Sequence, residues 1–163
     1  MNSARTDLLR LQLPPDPTAT ERLGEQLGRH LGPGDILALC GEVGAGKTTL
    51  TQGLARGLRL DAPEEVASPT YLLVVEHAGP TRMLHADAYL PAKLQGFLAD
   101  GGLDYLCAPD AVVVVEWADR IASLLPERTL WLELAPAEGG GRQVVLWSAA
   151  PQHFRWAGQL RAD

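Results

Sequence analysis

Cysteine is nearly absent from this chain of 163 residues. Two thiols, Cys40 and Cys107, are too few for a disulfide framework, and both read as small buried hydrophobes with no metal site implied. No apolar run approaches the ~20 residues that span a bilayer. The opening residues also lack the apolar centre of a secretory leader, so a cytoplasmic protein without membrane contact is expected. Lysine is equally scarce: Lys47 and Lys93 stand beside twelve arginines, under a formal net charge of -6. That balance shows no broad basic footprint for nucleic acid, so service to an RNA pathway would run through protein partners. Internal repeats and linkers are missing too. With 46% apolar residues the chain is expected to be one globular domain over residues 1–163, ordered over about 8–150.

What is present centres on Gly41-Glu42-Val43-Gly44-Ala45-Gly46-Lys47-Thr48, a complete G-x-x-x-x-G-K-[ST] loop. An apolar run at 36–40 precedes it, and Leu50, Leu54 and Leu58 follow on one helical face. Strand before and helix after are the context this motif needs to bind phosphate. The glycines let the backbone curl into a nest of N–H donors, to which the new helix adds the partial charge of its N-terminus. Lys47 is placed to reach β- and γ-phosphate oxygens, and the Thr48 hydroxyl to ligate Mg²⁺. Thr49 presents a second hydroxyl one residue on. The chain is therefore read as binding a nucleoside triphosphate.

Around the loop, residues 8–13 read as an edge strand stopped by Pro14-Pro15. Thr18 and Glu21 make a capping box for a helix carrying Leu23, Leu27 and Leu31, with Gly24 and Gly28 allowing a close neighbour. Strand-like runs at 72–76 and 81–87 flank the turn His77-Ala78-Gly79-Pro80, which puts an antiparallel hairpin into the sheet. Residues 91–104 are weakly helical across Gly101-Gly102. The valine run 111–116 reads as a central strand covered on both faces, and 118–125 as a short helix. Residues 129–134 and 142–147 alternate around a glycine turn, a terminal hairpin. The expected fold is α/β: a three-layer P-loop NTPase with a mixed, mainly parallel sheet and an antiparallel hairpin part.

A phosphate loop needs a carboxylate for Mg²⁺ at the end of an adjacent strand. Glu116, closing the valine run, fits; contact directly or through water are both open to its longer side chain. In His85-Ala86-Asp87-Ala88-Tyr89, alternation places 85, 87 and 89 on one face, and Asp87 is the candidate to position or deprotonate the attacking water. His85 alone is read as a structural hydrogen-bonding residue. Ser68-Pro69-Thr70 follows the loop helix, where a segment can order around a γ-phosphate; a tight turn is the equal reading.

Taken together, GEVGAGKTT (41–49), SPTY (68–71), HADAY (85–89) and EW (116–117), with Thr20-Glu21-Arg22-Leu23-Gly24, resemble the TsaE (YjeE) family of bacterial P-loop ATPases, in the family's order from about residue 16 to 142. The resemblance implies a role in making threonylcarbamoyladenosine at position 37 of tRNA, through ATP and Mg²⁺, with the proteins TsaD and TsaB and with tRNA reached through that complex. ATP turnover would reset the assembly. The implied catalytic residues are Lys47, Asp87 and Glu116, with Thr48 and Glu116 on the metal. The implied nucleotide contacts are Glu42, Val43, Gly44, Ala45, Gly46, Lys47, Thr48 and Thr49, then Ser68 and Thr70 of the switch-like loop, Trp117, and Arg142 from a segment resembling one near the nucleotide. One departure stands out: the family usually follows H-x-D-x-Y with arginine, where this chain has Leu90, leaving Arg82 or Arg120 to substitute.

Other triphosphate users fit less well. A small-molecule kinase is the alternative, but no arginine-rich lid is present and little chain remains for an acceptor pocket. The N-K-x-D of guanine-specific switches is missing, Asn2 being the only asparagine. So is the L-S-G-G-Q of transporter ATPases.

Overall fold

The computed structural model describes residues 4–69 and 73–163, so the expectations for Thr70, Tyr71 and Leu72 lie outside the described residues. Among the described residues seven strands form one sheet, in the order β1-β7-β6-β2-β5-β4-β3. Its centre is the pair of continuous apolar runs, β2 (Ile36–Cys40) and β5 (Ala111–Glu116). Both are covered on two faces, which is what such runs require. β4 (Arg82–Asp87) and β6 (Thr129–Pro136) flank them in parallel. β3 (Val74–His77) runs antiparallel to β4. β7 (Arg142–Ser148) lies antiparallel between β6 and the edge strand β1 (Thr6–Leu13). The parallel centre and antiparallel margins match the expected mixed sheet.

Helices cover both faces. On one, α1 (Pro17–His30) and α2 (Lys47–Gly57) bury Leu23, Leu27, Leu50 and Leu54 completely. On the other, α3 (Pro91–Ala99), α4 (Gly102–Leu106) and a 3-10 segment at Ala118–Leu124 pack Leu106 and Ile121 against Leu84, Val113 and Val115. α1 and α2 touch through glycines. A Cβ on Gly24 or Gly28 would meet the carbonyls of Leu50 or Leu54, and one on Gly53 or Gly57 those of Glu21 or Glu25. Backbone thus lies against backbone, and α2, which carries the phosphate loop, is seated on α1.

Several local expectations are corrected. The α1 N-cap is Asp16, not Thr18: Asp16 accepts the Thr18 N–H at 2.9 Å, and Pro17 takes the first helical position, where no N–H is needed. Glu21 therefore does not close a capping box; it reaches across to an ion pair with Arg56 on α2. Cys107 is exposed at the end of α4, while Cys40 is half-buried. The segment after β5 is 3-10 rather than a regular helix. Beyond residue 150 the chain continues in two 3-10 turns that return Phe154 and Leu160 to the core, with Trp156 stacked 4.7 Å from His30.

Candidate functional site

Three parallel strands deliver the chemistry to one end of the sheet. β2 runs into the phosphate loop at Cys40, and in register with its last residues stand Glu116 on β5 (opposite Leu39) and Asp87 on β4 (opposite Glu116). Parallel pairing brings the two acids side by side, and the pleat points them, with Val112, Val114 and Met83, to the α2 face. Both are buried, 2% exposed each. Glu42, Val43, Gly44, Gly46, Lys47, Thr48, Thr49, Ser68, Glu116 and Trp117 line one cleft of about 370 Å³. Asp87 adjoins it: its Oδ2 accepts the Ser68 hydroxyl at 3.5 Å and its Oδ1 the Tyr89 N–H at 2.8 Å.

Gly46 has φ +109°, a left-handed conformation that costs a Cβ-bearing residue strain, and it opens α2 at Lys47. Among the described residues, the N–H groups of Gly44, Gly46, Lys47, Thr48 and Thr49 have no backbone acceptor, so the loop presents a nest of unspent donors. Ala45 differs from its neighbours. Its N–H is spent on the Glu42 carbonyl and its side chain is buried in the core, so it serves the loop's turn rather than the cleft. Val43, at the tip, is 85% exposed.

Lys47 is 7% exposed. Its Nζ donates to the carbonyls of Gly41 and Glu42 and lies 4.0 Å over the Trp117 ring. Burial pushes the ammonium below its ordinary pKa, against the opposing pull of Glu116 and Asp87. Trp117 itself adopts φ +56°, a strained bend for a bulky residue that turns the indole out of β5 and over the lysine. On the far side of the loop the Arg142 guanidinium donates to the carbonyls of Ala45 (2.9 Å) and Gly44 (3.3 Å). Arg142 also borders a second hollow of about 220 Å³, shared with Pro14, Pro15, Thr20 and Thr49, which joins the cleft across Gly44 and Gly46.

His85 is the structural hydrogen-bonding residue the sequence suggested. Its ring is fully buried and donates from Nε2 to Glu116 Oε2 at 2.9 Å, fixing the carboxylate in one orientation. The signal was its place two residues before Asp87 on the same strand face. The two candidate substitutes for arginine at position 90 separate cleanly. Arg82 starts β4, at the end away from the cleft, and pairs with Asp110 and Glu76. Arg120 lies at the mouth, 5.0 Å from the Tyr89 ring centroid and 5.7 Å from that of Trp117.

Unspent loop donors and a buried ammonium suit a polyphosphate. One hydroxyl and one oriented carboxylate suit an ion that keeps most of its shell from water and phosphate, as Mg²⁺ does. Strand, nest and opposed acids define the class: an α/β nucleotide-binding protein of the phosphate-loop type.

The family model for the threonylcarbamoyl adenosine biosynthesis protein TsaE matches residues 14–144, and the chain belongs to that family. A tRNA threonylcarbamoyladenosine biosynthesis protein TsaE of Treponema pallidum is 37% identical, over 78% of this chain and 92% of that one. The TsaE proteins of Mycobacterium tuberculosis (34% identical) and Bacillus subtilis (33%) each match over about four fifths of both chains. The crystal structure of Bacillus subtilis YdiB superposes with a TM-score of 0.76 at 25% identity, covering 96% of this chain and 95% of that one. The family places the chain in tRNA threonylcarbamoyladenosine biosynthesis. No helix among the described residues is long and apolar enough to cross a membrane.

Proposed function

We propose that this protein binds ATP with Mg²⁺ and hydrolyses it to sustain turnover of the machinery that installs threonylcarbamoyladenosine at position 37 of tRNA, acting with TsaD and TsaB. The observation that carries the reading is the convergence of Lys47, Thr48, Glu116 and Asp87 on one cleft in a chain of the TsaE family. The triphosphate lies along the loop donors, and Lys47 exchanges the Gly41 and Glu42 carbonyls for β- and γ-phosphate oxygens. The hollow walled by Pro14, Pro15 and Arg142 takes the base end. One ammonium beside two buried carboxylates cannot by itself balance a triphosphate. A bound Mg²⁺ would supply the missing positive charge at the phosphate oxygens.

Thr48 and Glu116 would hold that ion, and His85 holds Glu116. Asp87 Oδ2, the oxygen not engaged by the Tyr89 N–H, orients the attacking water and accepts its proton. Ser68, hydrogen-bonded to the same oxygen, ties the loop after α2 to this group, and with Thr70 that loop is the switch. Trp117 covers the phosphate end.

The test is tRNA modification reconstituted with TsaD, TsaB and this protein. Multiple turnovers should require both this chain and ATP. Lys47→Ala should abolish ATP binding, while Asp87→Ala should keep binding and lose hydrolysis. Modification that proceeds equally without this protein would end the reading.

A further inference from the structure

Tryptophan is rare here, four residues in all, and three of the four line one groove behind the phosphate loop, on the sheet face opposite α2. Trp131 and Trp147 are direct cross-strand partners on β6 and β7. Their rings stack 5.0 Å apart at 6° to form the floor. Trp117 closes the end nearest the nucleotide cleft. Three carboxylates, Glu42, Asp119 and Glu133, stand around these indoles, and the hollow measures about 360 Å³. The half-buried Cys40 thiol reports the local field: burial first, then Asp119 and Glu133, push it up to about 11.

We propose that this groove is a docking site for an arginine-bearing segment of a protein partner, and that Arg5 of the chain itself occupies one end of it as an intramolecular placeholder. The chemistry is already displayed. The Arg5 guanidinium lies 4.8 Å over the Trp147 ring. It also donates to both Glu133 oxygens, at 2.8 and 3.2 Å. Glu133 Oε1 accepts the Trp147 indole N–H at 3.1 Å, so ring and carboxylate are held as one recognition unit. The Arg5 and Glu133 side chains remain 42% and 39% exposed, which makes the pair exchangeable.

A flat cation with a fork of donors suits stacked indoles and carboxylates better than a lysine ammonium, which is more strongly hydrated and binds one oxygen at a time. Three carboxylates around the rings repel a phosphate backbone, which argues for a protein segment over RNA. The groove shares Glu42 and Trp117 with the nucleotide cleft, so an occupant would touch the back of the phosphate loop. Docking itself needs no nucleotide, and its test is independent of the proposed ATPase activity.

The experiment titrates the full chain, without nucleotide, by tryptophan fluorescence, using a capped peptide of three Arg-Gly repeats beside its Lys-Gly counterpart. Saturable quenching by the arginine peptide, with weaker binding of the lysine peptide, is expected. Arg5→Ala should tighten the arginine peptide about threefold by vacating the Trp147–Glu133 end. Arg10→Ala, which removes the same charge from the adjoining β1 at a side chain that shares Asp7 with Arg5, should not tighten it. Glu133→Gln, which keeps an oxygen for the Trp147 N–H, combined with Asp119→Asn should weaken binding about tenfold. Thermal melts of each variant check the fold. Lack of saturable binding, equal effects of Arg5→Ala and Arg10→Ala, or tighter binding of an RNA oligonucleotide at the same residues would each overturn the proposal. Self-association abolished by the same acid substitutions would reassign the groove to a second copy.

Discussion

Replacing Gly53 by alanine reverses an ordinary helix rule. In an unencumbered helix interior, Gly→Ala stabilises by up to ~1 kcal/mol because alanine loses less backbone entropy. Gly53 lies in the middle of α2, where a Cβ would stand 1.9 Å from the Glu21 carbonyl oxygen and 2.8 Å from its carbon. Both are backbone atoms of α1, so no rotamer change relieves the clash. The helices would have to part by more than an ångström, opening the contact among Leu23, Leu27, Leu50 and Leu54, all fully buried. Overpacking of this kind costs roughly 1–3 kcal/mol, occasionally more. After subtraction of the propensity gain, Gly53→Ala should destabilise by about 1–2 kcal/mol, a fall in Tm of roughly 2–8 °C for a chain of this size. Gly96, exposed in the interior of α3 with nothing within 4 Å of its virtual Cβ, is the internal control. Gly96→Ala should raise stability by up to ~1 kcal/mol. Urea unfolding followed by far-UV circular dichroism measures both. A Gly53→Ala protein as stable as the parent would refute the idea that contact between the two helix backbones holds α2 in place.

Two further outcomes follow from individual contacts. His85→Ala should raise the Mg²⁺ concentration for half-maximal hydrolysis by roughly tenfold, with ATP affinity measured without metal unchanged, because it frees Glu116 to rotate. His85→Gln, which retains a donor, should recover most of that loss; equal behaviour of the two would reduce His85 to packing. On acidification the α1 cap should persist to a pH below the ordinary Asp range and fail only there. Asp16 accepts from the Thr18 N–H and hydroxyl, which holds its carboxyl below the ordinary 3.8. Its contribution is therefore complete above 3.8 and is lost as pH falls through the lower folded value. Asp16→Asn keeps an acceptor without the charge, so its melting temperature should vary less than the parent's over that range.

The parts of this protein that could be read from its sequence are those where local pattern and tertiary demand coincide. The apolar runs of β2 and β5 and the glycine-lysine loop each satisfy a local rule and stand where the rule puts them, and the expected turn at 77–80 falls one residue later, at 78–81 between β3 and β4. The placing of Glu116 and Asp87 at strand ends followed from the same logic, and parallel register then made them neighbours. What escaped depended on partners distant in sequence. The Thr18 capping box was displaced because Asp16, two residues earlier, takes the cap with Pro17 at the first helical position, and Glu21 gains an arginine from α2 instead. His85 has the hydrogen-bonding role expected of it, but its partner, the Glu116 carboxylate, comes from β5. Residues 151–160 lack period and length, yet Phe154 and Leu160 find a core built by elements far upstream. The tryptophan groove could not be read at all, since its residues come from four separated stretches of chain.

The phosphate loop illustrates how such long-range contacts prepare a site. A loop rich in glycine would ordinarily give up much conformational entropy on ordering, of the order of 1–2 kcal/mol per residue. Here the ordering comes from outside the motif. Arg142 holds the Gly44 and Ala45 carbonyls from one side, and Lys47 holds those of Gly41 and Glu42 from the other. These bonds all fall on carbonyl oxygens, and the N–H groups of Gly44, Gly46, Lys47, Thr48 and Thr49 stay without a backbone acceptor. On the proposed reading, an incoming polyphosphate would meet donors already aligned. Only Lys47 would have to change partners, with Arg142 still on the carbonyls and α1 still against α2. Preorganisation of that kind lowers the cost of binding without adding a contact to the ligand. It also separates two failures that a binding assay alone would merge. Arg142→Ala should weaken phosphate binding by loosening the loop, whereas Lys47→Ala removes the charge itself, and only the first should be compensated by rigidifying the loop elsewhere.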